Sequence, residues 1–445
     1  MEITKNVPDD ILQDTFTDEK GHAELIAYPE TSEDVQAFMK EANENNKKVI
    51  PIGAHTGVVS ATLARNNEQF LSLKKMNKII ALDEETLTLT VESGVTLNQI
   101  RDYLKDTPYF YAPDPGSKEA TVGGNAATNA GGMRALKYGV TRDNIRSLEV
   151  VLANGDLVRA GTLNMKSSSG YDLKNLFIGS EGTLGVITKL NLRLLPKPKY
   201  ERSLILSFNT LEDLAPVIYK VLSLSTTPSA LEFYERKGIE LTEDMIDVKA
   251  PEVDGDWFIL LTVDGQSTDI IDESIETIAD LAKENGASGA KILNTSEAKV
   301  MWLLRDNLII AIKADSEIEP YDIVVPINQI TDTILEITKI TKEQGLKDAF
   351  FGHAGDGNIH ANLLRGDLDD EEWAKTVKVY NDQVYQLVVE KGGLPSAEHG
   401  IGLMKKKYLK IAYTPGEIQL MRQIKHAFDP NNTLNPNKVI DFDSK

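Results

Sequence analysis

The chain of 445 residues contains no cysteine. That absence excludes disulfides, thiolate-bound zinc, cysteine-ligated iron–sulfur clusters and a cysteinyl nucleophile within this polypeptide. Any electron chemistry must then use an organic cofactor or a metal held by histidine and carboxylate. No run of about 18 apolar residues occurs, so no membrane-spanning helix is expected. The N-terminal MEITKNVPDDILQDTF lacks the basic-then-apolar order of a secretory signal, which points to the cytoplasm. Positive charge is short as well: 48 Lys+Arg against 68 Asp+Glu leave a formal charge of -20. Nucleic acid needs a positive face, so it is not an expected partner, and an anionic lipid surface is disfavoured for the same reason. No Gly-Lys-Ser/Thr closes a glycine loop, which excludes a P-loop, and no tandem repeat is present.

What is present reads as a multidomain α+β protein, since the chain is too long for one ordinary core. Over residues 28–52 the pattern predicts an α/β unit, with Ser32 capping a helix whose apolar face is Val35, Phe38, Met39 and Ala42. KKVIPI then reads as a buried strand. TLTLTVES alternates as strands do, and Thr96 can cap the helix holding Leu97, Ile100 and Leu104. LEVVLANGDLVRAG predicts a hairpin turning at Asn154-Gly155. The strand through Leu190, Leu192 and Leu194 stops at a proline–lysine cluster, Pro196 to Lys199, where a domain boundary is expected. Beyond it strands and helices alternate, which predicts an antiparallel sheet with helices on one face, in ferredoxin-like style. DPNNTLNPNKVI is too turn-rich for a core helix and is expected to wrap another surface.

Two of the six histidines, His353 and His360, flank a turn in FFGHAGDGNIHAN, and Glu398-His399 follow in SAEHG. Two imidazoles and a carboxylate form a common ligand set for a divalent metal, with a spare histidine suited to act as a base. If NIHANLL is a strand, His360 and Asn362 share a face. A glycine-rich hairpin with incidental histidines is the alternative. Two further stretches, PDPGSKEATVGGNAATNAGGMRALKYG and GYDLKNLFIGSEGTLGVIT, are rich in glycine. Neither follows a strand and opens a helix in the G-x-G-x-x-G manner of a nicotinamide fold. They can offer backbone N–H groups to a diphosphate, with Ala126, Ala127 and Ala130 letting a flat ring approach. A series of tight turns is the plainer reading.

TVGGNAATNAGG, ALKYG, GYDLKNLFIGSEGTLG, GHAGDGNIH and SAEHGIG together resemble the FAD-linked oxidases of the vanillyl-alcohol-oxidase type. The resemblance is to the branch of D-lactate dehydrogenases, glycolate oxidase subunits and D-2-hydroxyglutarate dehydrogenases, and runs from about Tyr28 to Val439 in the family's order. It implies an FAD-binding PCMH-type domain of two α/β subdomains (1–198), a ferredoxin-like cap (199–390) and a C-terminal segment returning to the flavin (391–445). It places Pro51, Gly53, Ala54, His55, Thr56 and Gly57 in a first flavin loop. Pro113, Gly116, Ser117, Thr121, Gly123, Gly124, Asn129, Gly131 and Gly132 would line the flavin, joined by Glu181, Gly182, Gly185 and Ile187. His353, His360 and Glu398 match the family's metal ligands, for zinc or manganese, with iron also open to that set. Asn362 matches a substrate contact, Arg305 the arginine that meets a substrate carboxylate, and His399 the catalytic base.

Two departures carry weight. The family's first loop is usually Pro-Arg-Gly-Gly-Gly-Thr-Gly, but here it is Pro51-Ile52-Gly53-Ala54-His55-Thr56-Gly57, so diphosphate binding must lean on backbone donors. His55 is also similar in place to the loop histidine through which distant relatives attach FAD. Where many relatives have Lys-Tyr-Asp, this chain has Pro320-Tyr321-Asp322, which favours a lactate-like substrate over a dicarboxylate. The resemblance thus implies FAD- and metal-dependent oxidation of a small D-2-hydroxy acid, D-lactate before glycolate or D-2-hydroxyglutarate. The electron acceptor stays open between a quinone, a cytochrome, an electron-transfer flavoprotein and oxygen. A homodimer and a peripheral place at a membrane are compatible with it. Its rivals are a flavin-free metallohydrolase, a flavin electron-transfer module and a flavoenzyme forming ether lipids.

Overall fold

A computed structural model gives the structure of the chain and describes residues 1–15 and 17–442. Two compact units emerge: residues 1–132, 139–197 and 398–445 form the first, and residues 133–138 with 198–397 form the second. The chain therefore crosses over at the proline–lysine cluster. It also lends the short segment 133–138 to the second unit, which no sequence pattern announces. No helix among the described residues is long and apolar enough to cross a membrane.

The first unit holds a four-stranded sheet in the order Glu2–Thr4, Ala23–Tyr28, Glu68–Ser72, Val49–Ile52, the last three parallel. Its helix Ser32–Glu44 buries Val35, Phe38, Met39 and Ala42 as the spacing predicts, and Glu33 and Asp34 suit the positive end of its dipole. The cap, however, is Thr31, whose hydroxyl oxygen accepts the Asp34 N–H at 3.1 Å. Ser32 is instead spent on Glu149, its hydroxyl donating at 2.6 Å. A second sheet is antiparallel: Ile79–Asp83, Thr88–Glu92, Val186–Arg193, Ile145–Val151, Leu157–Gly161. The helix Leu97–Leu104 is closed by a capping box between Thr96 and Gln99.

The C-terminal helix Pro415–Phe428 packs on this second sheet's core, with the Phe428 ring edge-on to Phe177. The turn-rich segment after it is fastened to the same unit. Leu434 pairs alongside Val49, and the buried Lys425 ammonium donates to the carbonyls of Thr183 and Leu434, both at 2.8 Å, and to the Asp429 carboxylate.

The second unit is built on one seven-stranded antiparallel sheet, in the order Gly289–Leu293, Tyr200–Phe208, Trp257–Gly265, Ala230–Glu235, Lys347–His353, Asn358–Leu364, Ile318–Val324. Its helices cover both faces, where the sequence pattern suggested one. Ile205, Phe258, Leu260, Tyr234, Phe351 and Leu364 face helices Arg236–Ile246 and Thr295–Asp315 in one core. Helices Leu214–Leu222, Thr268–Glu284 and Ile330–Glu343 pack on the same strands but add nothing to that core, so they lie opposite. Strands such as WFILLTVDG are apolar on both sides because both sides are covered.

The segment 133–138 is clamped to the end of Trp257–Gly265. The Asp264 carboxylate, nearly unexposed, accepts from the Tyr138 hydroxyl at 2.7 Å and pairs with Lys137, whose ammonium also reaches the Asp264 carbonyl at 2.7 Å. Replacing Asp264 by Ala removes an ionic acceptor from both groups. We expect a loss of about 2–3 kcal/mol in unfolding free energy, read by chemical denaturation, whereas a loss below about 0.5 kcal/mol would show the clamp to be idle.

Candidate active site

In the first unit a cavity of about 420 Å³ opens over the loop 51–58 and both glycine-rich stretches, within the usual range for small-ligand sites. Three features describe what it can hold. First, among the described residues, the backbone N–H groups of residues 53–57 have no hydrogen-bond partner. His55 lies there in the left-handed region, φ 58°, in the manner of the turns whose successive N–H groups make an anion-binding nest. Second, Gly57 and Gly116 face open space, so nothing hinders a ligand's approach to their backbone. Third, three buried polar atoms on the wall have no partner: Ser93 Oγ, Asn125 Nδ2 and Asn435 Oδ1. Backbone donors at one end and scattered donors and acceptors elsewhere fit a dinucleotide with a diphosphate and a flat polar ring. The residues present therefore fit FAD.

The expected flavin residues divide on inspection. Pro51, Gly53, Ala54, His55, Thr56, Gly57, Gly116, Ser117, Thr121, Gly123, Gly124, Glu181, Gly182, Gly185 and Ile187 all line the cavity. Pro113, Asn129, Gly131 and Gly132 are not among its lining residues. Asn129 ends the short helix Val122–Thr128 at φ 54° and accepts the Arg142 N–H at 3.0 Å. A Cβ on Gly131 would come within 2.8 Å of a Glu398 carboxylate oxygen, and one on Gly132 within 2.4 Å of the Asp114 carbonyl. The first glycine stretch contains the short helix Val122–Thr128, which the Thr121 hydroxyl oxygen caps by accepting the Gly124 N–H at 3.2 Å. Both ring nitrogens of His55 are engaged, one with the Gln13 carbonyl and one with the Thr62 hydroxyl, each at 3.0 Å.

Glu398 and His399 also line this cavity, and the path of their loop is dictated by Glu181. The buried Glu181 carboxylate accepts the N–H of Ile401 at 2.7 Å and of Gly402 at 2.9 Å. Gly400 (φ 90°) and Gly402 (φ 51°) hold conformations that other residues rarely adopt. A Cβ at Gly402 would stand 1.9 Å from the Val59 carbonyl. The His-Gly-Ile-Gly spacing is thus what lets the chain thread past Glu181 and Val59 and present His399. The Asn435 side chain braces the same place, donating to the Glu181 carbonyl at 2.7 Å.

The second unit contributes a different kind of site. His353 ends the strand Lys347–His353 and His360 lies on its hairpin partner Asn358–Leu364, their ring centroids 5.3 Å apart and nearly perpendicular. The turn between them needs Gly357, at φ 85° and packed against the Val325 carbonyl. The His353 Nδ1 is held by Glu232, 2.7 Å from Oε1 and 2.9 Å from Oε2, in the way the second nitrogen of a ligating imidazole is commonly held. The other Glu232 oxygen accepts from Arg305 Nε at 2.8 Å and Nη2 at 2.5 Å. Burial alone would raise the Glu232 carboxyl, but the charges and hydrogen bonds of His353 and Arg305 outweigh it and hold it below the ordinary range. Asn362 shares this sheet face, and its Oδ1 is buried without a partner. Across from His360 lies Asp322, which accepts from Asn358 Nδ2 at 3.0 Å, the Ser396 hydroxyl at 2.9 Å and the Ala397 N–H at 3.2 Å. Two imidazoles, one with its second nitrogen fixed by a carboxylate, are a donor set that fits zinc or manganese.

Sequence reasoning passed over Glu232, Ser93, Asn125 and Asn435, and named Asp322 only within Pro320-Tyr321-Asp322. Only Glu232 leaves a local trace, as the one carboxylate in the middle of the apolar strand ALEFYE.

Burial pushes the Glu181 carboxyl up to about 7, against the lowering pull of its two backbone donors and of Lys405 and Lys438. Since the folded value lies above the ordinary one near 4.5, its contribution to stability is complete below about pH 4.5 and is lost as pH rises through about 7. The stability of the wild type relative to Glu181→Gln should therefore fall across that window in urea titrations. A difference that stays level from about pH 4 to about pH 8 would contradict it.

Comparison with known proteins agrees with this geometry. Residues 23–161 match the family described as FAD binding domain, and residues 197–439 match FAD linked oxidases, C-terminal domain. A protein of Anaerostipes hadrus named D-lactate dehydrogenase is 40% identical, over 97% of this chain and 94% of its own. A Bacillus subtilis protein named glycolate oxidase subunit GlcD is 32% identical, over 100% of this chain and 98% of its own. Among solved structures, p-cresol methylhydroxylase with substrate bound superposes with a TM-score of 0.77 at 20% identity, over 96% of this chain and 90% of that one. That last likeness speaks for the fold alone. The chain belongs to the FAD-linked oxidases, flavin-dependent oxidoreductases with the FAD-binding PCMH-type fold.

Proposed function

We propose that this enzyme oxidises a small D-2-hydroxy acid, D-lactate foremost, to the 2-oxo acid. The observation that carries the reading is the polar cluster on one sheet face of the second unit: His353, His360, Asn362 and an Arg305 with one edge already fixed. A 2-hydroxy acid offers one carboxylate and one neighbouring hydroxyl, and this cluster offers a guanidinium and a pair of imidazoles. The name D-lactate dehydrogenase, borne by the 40% identical relative, supports the same substrate class.

Each side chain has a task in this reading. Arg305 spends Nε and one Nη2 hydrogen on Glu232 and keeps its Nη1–Nη2 edge for the substrate carboxylate. His353, His360 and Glu398, the residue that follows Ala397 in the chain, would hold a divalent cation, zinc or manganese, which when bound lowers the pKa of the hydroxyl. His399 takes the hydroxyl proton, and the Asn362 amide oxygen, otherwise without a partner, orients the hydroxy acid. FAD supplies the hydride acceptor, so the α-carbon loses a hydride as the hydroxyl loses its proton and a carbonyl results. The electrons would pass to an acceptor outside this chain, a quinone, a cytochrome, an electron-transfer flavoprotein or oxygen, and the chain has no cysteine with which to ligate a cluster of its own.

Pro320, directly opposite Asn362, presents an uncharged ring where a second substrate carboxylate would want a cation. That supports a monocarboxylate over D-2-hydroxyglutarate.

Anaerobic addition of D-lactate should bleach the bound flavin, with L-lactate and D-2-hydroxyglutarate far slower. No bleaching by any 2-hydroxy acid would sink the proposal. His399→Ala should keep its flavin yet lose about 10²–10⁴-fold in turnover, and near-normal turnover would remove His399 from the role of base. His353→Ala should purify with its flavin but without metal; full occupancy by elemental analysis would refute the ligand assignment.

A further inference from the structure

We infer that Glu232 is a positioning residue that sets substrate carboxylate recognition and metal affinity with one side chain. The inference rests on the reading above and adds to it a residue with no part in the chemistry itself. Glu232 lies in the middle of the strand Ala230–Glu235 and has no exposed surface. Stability does not explain a carboxylate there, because buried ion pairs are often no more stabilising than apolar groups of the same volume. Nor does Glu232 satisfy backbone groups. Its hydrogen-bond partners are two side chains, both with roles in the proposed chemistry, and it bridges them. Oε2 takes the Arg305 Nε and Nη2 hydrogens, at 2.8 Å and 2.5 Å, while His353 Nδ1 stands 2.7 Å from Oε1 and 2.9 Å from Oε2.

Two consequences follow from that bridge. An acceptor at Nδ1 fixes the proton there, so the His353 lone pair is at Nε2 and the ring cannot turn over without breaking the bond. The contact on Arg305 leaves the other guanidinium edge without a partner among the described residues and in a fixed plane, as a bidentate carboxylate contact requires. The stacking of the guanidinium on Phe351, 5.4 Å from the ring centroid, holds the same plane from the other side. Moving the Glu232 carboxylate would therefore disturb both partners together.

The test uses the flavin-loaded enzyme stripped of metal with a chelator and titrated with zinc or manganese alone. Glu232→Gln, nearly the same shape without the charge, should keep wild-type flavin content, which reads the integrity of the first unit. Its metal dissociation constant should rise about 10–100-fold, the usual cost of losing the group that orients a ligating imidazole. KM for D-lactate should rise as well. Arg305→Lys separates the two effects: it should raise KM and leave metal affinity alone. Should Glu232→Gln fold poorly, Glu232→Asp, which keeps the charge one methylene short, must show the same double loss. Wild-type metal affinity in a folded Glu232 variant, beside a His353→Ala that has lost its metal, overturns the inference while the parent reading stands. A wild type that takes up no metal overturns both.

Discussion

A buried carboxylate that accepts two consecutive backbone N–H groups fixes where the C-terminal part of this chain can run. Glu181 does this for Ile401 and Gly402, at 2.7 Å and 2.9 Å, and the proposed base His399 is two residues away from the first of them. The loop is gripped from its other side too, since the Leu403 N–H donates to the Val59 carbonyl and the Val439 N–H to the Gly402 carbonyl, each at 3.0 Å. Glu181 itself sits at φ 51° and Val439 at φ 60°, conformations that cost about 1–3 kcal/mol outside glycine and persist only where surrounding structure compels them. The strain is thus spent where geometry near the cavity must be reproduced.

On the proposed reading the two units would meet the same difficulty, an anionic ligand in a protein of charge -20, by different means. In the first, the loop 51–57 has no Arg or Lys, and the donors on offer are N–H groups of residues 53–57 without partners among the described residues. Partial charges of this kind act at contact distance and do not depend on the sign of the whole surface. In the second unit a full positive charge would serve, and it is escorted: Arg305 pairs with Glu232, so the guanidinium can be buried without an uncompensated charge.

The strands and the helix faces were legible because they depend on residues close in sequence, whereas most of the cavity-lining residues were named only through the resemblance to a family. Alternation and helical spacing are local signals, and glycine-rich motifs announce backbone exposure wherever they occur. The cap at Thr31 was misplaced by one residue because Ser32, an equally good capping type, is claimed by Glu149, 117 positions away. Helices on both sheet faces could not be distinguished from one covered face, for that depends on which strand neighbours which. Glu232 and His353 are 121 positions apart, and Asn435 reaches Glu181 across 254. Pairs so distant leave no periodic trace, and a lone carboxylate in an apolar strand is the most the sequence can show of them.

Charge balance in the second unit bears on how a substrate would be chosen. Glu232 cancels Arg305, so on the reading proposed above the pull on an anion would come from the cation held by His353, His360 and Glu398, which attracts any carboxylate alike. Selection must then come from shape: a guanidinium edge in a fixed plane and an Asn362 carbonyl with no partner of its own. A ligand that presents a carboxylate but no adjacent hydroxyl would leave that carbonyl unsatisfied in a buried setting, at a cost of about 1–3 kcal/mol. One with a second carboxylate would meet Pro320 opposite Asn362, which offers neither charge nor N–H. Both mismatches act through groups left without partners, which is the stronger way for a polar site to discriminate.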